Sequence, residues 1–281
     1  MKKVPVIILA GQSNAVGVGH SQYLSKTFSP EKVNELMAGY EDILIDYDSH
    51  NCLSNGFVPT APGCTGLSAG SIGPELGMAE YLHAHHPGEK FYIIKWAYGG
   101  SRLWDDWASP AKDNYHADAD PRVPACGQAD HAGWCYNGLI TLMKASLDRL
   151  AAMGLAPDFR AFCWMQGESD ACPGSEHMTK AYIDNFKCLM NDFYGVYGCV
   201  LGKNCLLVDA GISETSCWAF ADQLNAAKKS YAEQEGHSYL DTVAAGLTTL
   251  TEPEGAPDIA HYDAASYITL GRMFAKAALR E

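Results

Sequence analysis

Val4-Pro5-Val6-Ile7-Ile8-Leu9-Ala10-Gly11-Gln12-Ser13-Asn14 is the stretch on which the fold turns. Val4 to Ala10 is a short unbroken apolar run, and a turn-forming Gly-x-Ser-Asn follows it directly. The run is far below the ~18 apolar residues of a membrane span and suits a strand buried on both faces. Preceded by Met1-Lys2-Lys3, it imitates the opening of a signal peptide. No Ala-x-Ala cleavage site follows, and cleavage would remove the Gly11–Asn14 turn. The stretch therefore reads as the first strand of a sheet, with Ser13 on a strand-to-helix turn.

Outward from it, short apolar runs alternate with longer segments of helical period. Strands are expected at Ile43–Tyr47, Phe91–Trp96, Phe159–Met165, Leu206–Ala210 and Ser238–Asp241. Helices are expected at Pro74–His86, Asn137–Met153, Met178–Tyr194, Ala219–Glu235 and Asp263–Arg280. In the Asn137 helix, Leu139, Leu142, Met143, Leu147 and Leu150 share one face. Pro74 suits a first helical turn and Asp263 an N-cap. This alternation is that of an α/β protein with a parallel sheet covered by helices. With no linker, repeat or low-complexity tract, residues 1–281 read as one domain. The long irregular stretches Asp48–Gly73 and Tyr98–Tyr136 are expected to be functional or stapled.

Composition narrows the function. Across 281 residues, 47% are hydrophobic and 19% charged, which supplies a globular core and excludes a disordered chain. A net charge of −13 repels phosphate backbones and anionic lipid, so neither nucleic acid nor a membrane surface is an expected partner. The ten cysteines are too few for a disulfide scaffold, but Cys52/Cys64, Cys126/Cys135 and Cys199/Cys205 fall in loops and can pair locally. Cys188 points away from the stripe of Tyr182, Phe186, Leu189 and Phe193 at ~100° per residue. At least three disulfides and an extracellular or periplasmic location are expected, the native leader then being missing from this chain. Ordinary reduced cysteines are the alternative.

In open parallel sheets ligands bind beyond the carboxyl ends of the strands. Gly11-Gln12-Ser13-Asn14, Tyr98-Gly99-Gly100-Ser101 and Gln166-Gly167-Glu168-Ser169-Asp170 all follow predicted strands, and Asp258-Ile259-Ala260-His261 precedes the last helix. Singly each is a common turn composition. Together they supply the parts of a serine hydrolase: a nucleophile, a base, an orienting acid and oxyanion donors. Ser13 is the candidate nucleophile, His261 the base and Asp258 its orienter. The Ser13 N–H, a Gly99 or Gly100 N–H and the Gln166 amide are candidate oxyanion donors. Gln12 and Asn14 are candidates for site support. Glu168 is the rival orienting acid, although bracing of the Gln166 loop, with Asp170, is favoured for it.

Ile7–Asn14, Ile72-Gly73-Pro74-Glu75-Leu76-Gly77, Gly99-Gly100-Ser101, Trp164–Asp170 and Asp258-x-x-His261 resemble the SGNH-type carbohydrate esterases. Within them the resemblance is to the sialate O-acetylesterase-like and acetyl xylan esterase group (carbohydrate esterase family six). The motifs run in family order over nearly the whole chain. The resemblance implies a three-layer α/β/α, flavodoxin-like fold and metal-free deacetylation through an acyl-enzyme, without a cofactor. It assigns Ser13, His261 and Asp258 to the triad, and Gly100 and Gln166 to the oxyanion hole. The wider superfamily carries Asn where Gln166 stands, and a Gly often follows the Asp.

Trp104 and Trp107 fit either a sugar-stacking wall or a packed loop. His83, His85 and His86 lack the i, i+4 spacing of a helical zinc site. The expected function is removal of O-acetyl groups from carbohydrates such as acetylated xylan or sialic acid, by a monomer. A general short-chain esterase, lipase or thioesterase is the alternative enzyme, and a non-catalytic carbohydrate-binding protein the alternative from another class.

Overall fold

The computed structural model describes residues 1–122 and 131–281. Its strands in chain order are β1 (Lys2–Gly11), β2 (Gly19–His20), β3 (Tyr40–Ser49), β4 (Cys52–Leu53) and β5 (Val58–Thr60). They continue with β6 (Ser71–Ile72), β7 (Phe91–Ala97), β8 (Leu155–Met165), β9 (Leu206–Ala210) and β10 (Ser238–Leu240). The main sheet runs β10-β9-β8-β1-β7-β3-β4, with β5 also on β3. The pairs from β10 to β3 are parallel, and β4 and β5 add antiparallel pieces at one edge. β1 is central, flanked by β7 and β8, which is why its interior residues from Val6 to Ala10 are fully buried and read as a continuous apolar run.

Helices α1 (Ser13–Val16), α2 (Pro30–Ala38), α3 (Pro74–His85), α4 (Trp134–Ala152), α5 (Glu176–Leu201), α6 (Ala221–Glu235) and α7 (Ala264–Leu279) complete the chain. α4 and α5 pack on the sheet through β7 and β8, with α6 beside α5, while α3 and α7 pack together beneath β3, β8 and β9. The result is the expected three-layer α/β/α arrangement. The five expected helices and all six strands are present, with ends shifted by a few residues. The largest shift is in α5, which continues to Leu201. α2 and the short strands β2, β4, β5 and β6 were not expected, so Asp48–Gly73 is a chain of small pairings rather than a structureless loop.

α3 and α7 cross at two glycines. A Cβ on Gly271 would collide with the Pro74 carbonyl, and one on Gly77 with the backbone of Ile268. This close approach accounts for the glycine that ends the Ile72–Gly77 segment. Alanine normally stabilises a helix over glycine by about 1 kcal/mol. Here Gly77→Ala is expected to destabilise by about 1–3 kcal/mol, because the backbones must part. Urea denaturation reads the sign directly, and a stabilised variant would refute the crossing.

The disulfide expectation is corrected for two of its three pairs. Cys52 is exposed while Cys64 is buried with Sγ 3.7 Å from the Pro59 carbonyl, and neither is bridged among the described residues. Cys199 is exposed and Cys205 buried, again without a bridge. Each pair is split between solvent and core, which proximity along the chain does not reveal. Cys188 is half-buried and also unbridged. Cys126 lies outside the described residues.

Candidate active site

At the carboxyl end of β1 the chain turns at Gly11, whose φ is +148° and where a Cβ would strike the Met165 carbonyl of β8. Only glycine lets the two strand ends close over the turn. The Gln12 N–H donates to that carbonyl at 3.0 Å, and Ser13 then opens α1, 9% exposed. Ser13 lines a cavity of about 350 Å³ together with Gln12, Gly99, Gly100 and His261. Gly99 sits against it, since a Cβ there would lie 3.6 Å from Ser13 Cβ. Gly100 is exposed, with φ +75°.

His261 reaches this cavity from the turn before α7. Its Nδ1 lies 2.6 Å from Asp258 Oδ2, and its N–H donates to the Asp258 carbonyl. Asp258 Oδ1 accepts from the Ala260 N–H at 3.1 Å, so the turn holds the carboxylate toward the ring. With Nδ1 engaged, Nε2 lies on the opposite edge of the imidazole. No hydrogen bond joins Ser13 Oγ to the ring among the described residues. Asp263 occupies the N-cap position of α7, but its carboxylate accepts from Thr251 Oγ1 instead of capping.

Asn14 ties the two loops together. Its Nδ2 donates to Glu168 Oε1 at 2.6 Å and to the Ala260 carbonyl, and its Oδ1 accepts from the Tyr262 N–H and Tyr267 OH. Glu168 is therefore committed to Asn14 and, fully buried, has its carboxyl pushed up by desolvation. The structure brings Asp258, not Glu168, to His261.

Gln166 departs from its expected place. It is fully buried and does not line the cavity. Its Nε2 donates to Gln12 Oε1, the Ser101 carbonyl and Asp170 Oδ2, and its Oε1 accepts from Tyr182 OH. With its amide hydrogens directed at these acceptors, Gln166 braces three strand-end loops rather than facing an oxyanion. Asp170 extends the brace by accepting from the Leu103 and Trp104 N–H groups, and burial lifts its pKa to about 6. Below, the buried Lys228 donates to the Gln166 carbonyl and pairs with Asp209. The buried Lys95 does the same for α1, donating to the Val16 carbonyl while paired with Glu75. The Glu75 of the Ile72–Gly77 segment thus supports the Ser13 turn from beneath.

Of the two readings of Trp104 and Trp107, packing is the one the structure bears out. Trp107 is fully buried, donates to Ser101 Oγ, and packs edge-on against Trp96 and Trp164, so it belongs to the core. Trp104 packs against His177 and Lys112 and does not line the Ser13 cavity. The walls are instead His50, Leu67 and Trp218, with Val16 and Val18. Sequence reasoning missed these because, Val16 of α1 apart, they lie in loops without periodicity, and only their nearness in space marks them.

The three-layer α/β/α fold is shared with solved structures of other proteins. Residues 3–280 match the family described as carbohydrate esterase, sialic acid-specific acetylesterase, and the chain belongs to that family of carboxylic ester hydrolases. Similar solved structures include NanS, with a TM-score of 0.64 at 17% identity over 99% of this chain and 97% of that one. A protein from Arabidopsis thaliana has a TM-score of 0.63 at 16% identity, covering 99% of this chain and 98% of that one. A carbohydrate acetylesterase from Xanthomonas citri has a TM-score of 0.56 at 14% identity over 97% of this chain and 55% of that one. At such identities these three bear on the fold alone. Among curated proteins no sequence matches the chain.

Proposed function

We propose that this acetylesterase is a serine enzyme that removes O-acetyl groups from acetylated carbohydrates through an acyl-enzyme. The observation that carries the reading is the convergence of Ser13, Gly100 and an Asp258-bound His261 on one cavity. Asp258 holds Nδ1–H, which leaves Nε2 as the base. Ser13 Oγ attacks the acetyl carbonyl as Nε2 takes its proton, and the oxyanion is met by the Ser13 and Gly100 N–H groups. The imidazolium then protonates the departing sugar hydroxyl. Water, deprotonated by Nε2, attacks the acyl-enzyme and releases acetate and Ser13. Hydrogen bonds between base and nucleophile are often long in a free enzyme and tighten with substrate bound, which accounts for the open Ser13–His261 contact.

The test pairs two measurements. A fluorophosphonate is expected to label Ser13 stoichiometrically, located by peptide mass, and to abolish p-nitrophenyl acetate turnover. Release of the carboxylic acid, acetate or butyrate, is expected to be faster from acetylated xylan or acetylated sialic acid than from tributyrin. Labelling elsewhere, or a preference for tributyrin, would count against the mechanism or the substrate class respectively.

A further inference from the structure

We infer that His50 is the residue through which the cavity distinguishes an acetylated sugar from a simple acetate ester. The inference rests on the functional reading above and adds the contact to the sugar hydroxyls. His50 lines the same cavity as Ser13 and His261. Its ring lies over the Gly99 turn, with Cε1 and Nδ1 both 3.7 Å from where a Gly99 Cβ would stand, a point itself 3.6 Å from Ser13 Cβ. The ring is stacked on Tyr98, with centroids 4.5 Å apart and planes 23° from parallel.

Most of the cavity's other polar side chains are already committed. Gln12 Oε1 accepts from Gln166 Nε2 and from the Gly167 and Ser169 N–H groups, while its Nε2 donates to Ser169 Oγ. Ser13 and His261 carry the chemistry. Val16, Val18 and Leu67 are apolar, and Trp218 can only donate, its buried Nε1 having no hydrogen-bond partner among the described residues. His50 differs in kind: among the described residues nothing hydrogen-bonds its ring nitrogens, and they can supply an acceptor as well as a donor. A neutral imidazole offers one donor and one acceptor, the complement of adjacent sugar hydroxyls.

The backbone explains how the imidazole is placed. His50 and Asn51 are successive non-glycine residues in the left-handed region, with φ of +51° and +65°. Positive φ at both residues is the geometry of a two-residue hairpin turn, here the one joining β3 to β4, in which Ser49 pairs with Cys52. It is held by the His50 N–H donating to the Ala97 carbonyl at 3.0 Å, at the end of β7. This left-handed pair turns the chain just after β3 and sets the imidazole at the cavity.

The test compares an acetylated sugar with p-nitrophenyl acetate in His50→Phe and His50→Asn. Phenylalanine keeps the stack on Tyr98 and removes both nitrogens. Asparagine tolerates the left-handed backbone and keeps a donor and an acceptor. His50→Phe is expected to raise KM for the sugar ester about three- to tenfold, the scale of one hydrogen bond, with p-nitrophenyl acetate kcat/KM within about twofold of wild type. His50→Asn is expected to lose less on the sugar than His50→Phe, with thermal unfolding confirming that both variants fold. Equal losses on both esters, no loss on the sugar, or a worse Asn than Phe variant would overturn the inference. A wild-type enzyme active on p-nitrophenyl acetate but on no acetylated sugar would overturn the functional reading itself. A sugar-active enzyme indifferent to His50→Phe would overturn only the role of His50.

Discussion

Ser13→Ala is expected to lower kcat for p-nitrophenyl acetate by about 10³–10⁶-fold, the range seen when a serine nucleophile is removed elsewhere. Stability should barely change. Ser13 Oγ makes no hydrogen bond within the described residues, and the turn is held by other atoms: the Gln12 N–H on Met165, the Asn14 amide, and Lys95 beneath Val16. Steady-state kinetics and thermal unfolding of one preparation check both halves. A folded Ser13→Ala enzyme with near-normal kcat would remove the nucleophile from the mechanism, however well the cavity is formed.

The second large effect separates the two acids near His261. Asp258→Asn is expected to lower kcat by up to about 10⁴-fold, because an amide at 2.6 Å from Nδ1 favours the wrong tautomer and no longer stabilises the imidazolium. Glu168→Gln should cost much less in kcat. Glutamine still accepts from Asn14 Nδ2, and the second Glu168 oxygen, Oε2, has no hydrogen-bond partner to lose. The Glu168 effect should pass through Asn14, which holds both the Ser13 turn and the Ala260–Tyr262 backbone. Kinetics of both variants on one substrate decide the matter. A mild Asp258→Asn beside a crippled Glu168→Gln would reverse the assignment.

Buried carboxylates and amides divide these loops into two layers. Ser13, Gly100 and His261 face the cavity. Behind them Gln166, Asp170, Asn14 and Glu168 are fully buried and bonded mostly to one another's loops. A buried polar group left unpaired costs about 1–3 kcal/mol, so such a layer holds its loops in one arrangement. Motif residues therefore need not touch substrate. Gln166 shows the distinction: it sits at a strand end like Ser13, yet its amide is directed inward.

What the amino-acid sequence determines by itself here is everything encoded locally. Apolar runs of strand length, helical stripes, and turn chemistry at Gly11, Gly99 and Asp258 are properties of short windows, and they suffice for the order of the main strands and helices and for the layer architecture. Strand-end placement of the motifs follows as well, since a parallel sheet sends every such loop to one edge. Tertiary structure alone decides which of those loop side chains face the cavity. β1 lies between β7 and β8, so Gln166 meets Gln12 across 154 positions of chain, and Trp107 is drawn into a cluster with Trp96 and Trp164. Cys52 and Cys64 are likewise separated, one in solvent and one in the core. His50, without a motif around it, becomes a wall of the site only because β3 ends beside β7. Hydrogen bonds and burial are shared among residues distant in sequence, and a side chain's commitment is settled only when those neighbours arrive.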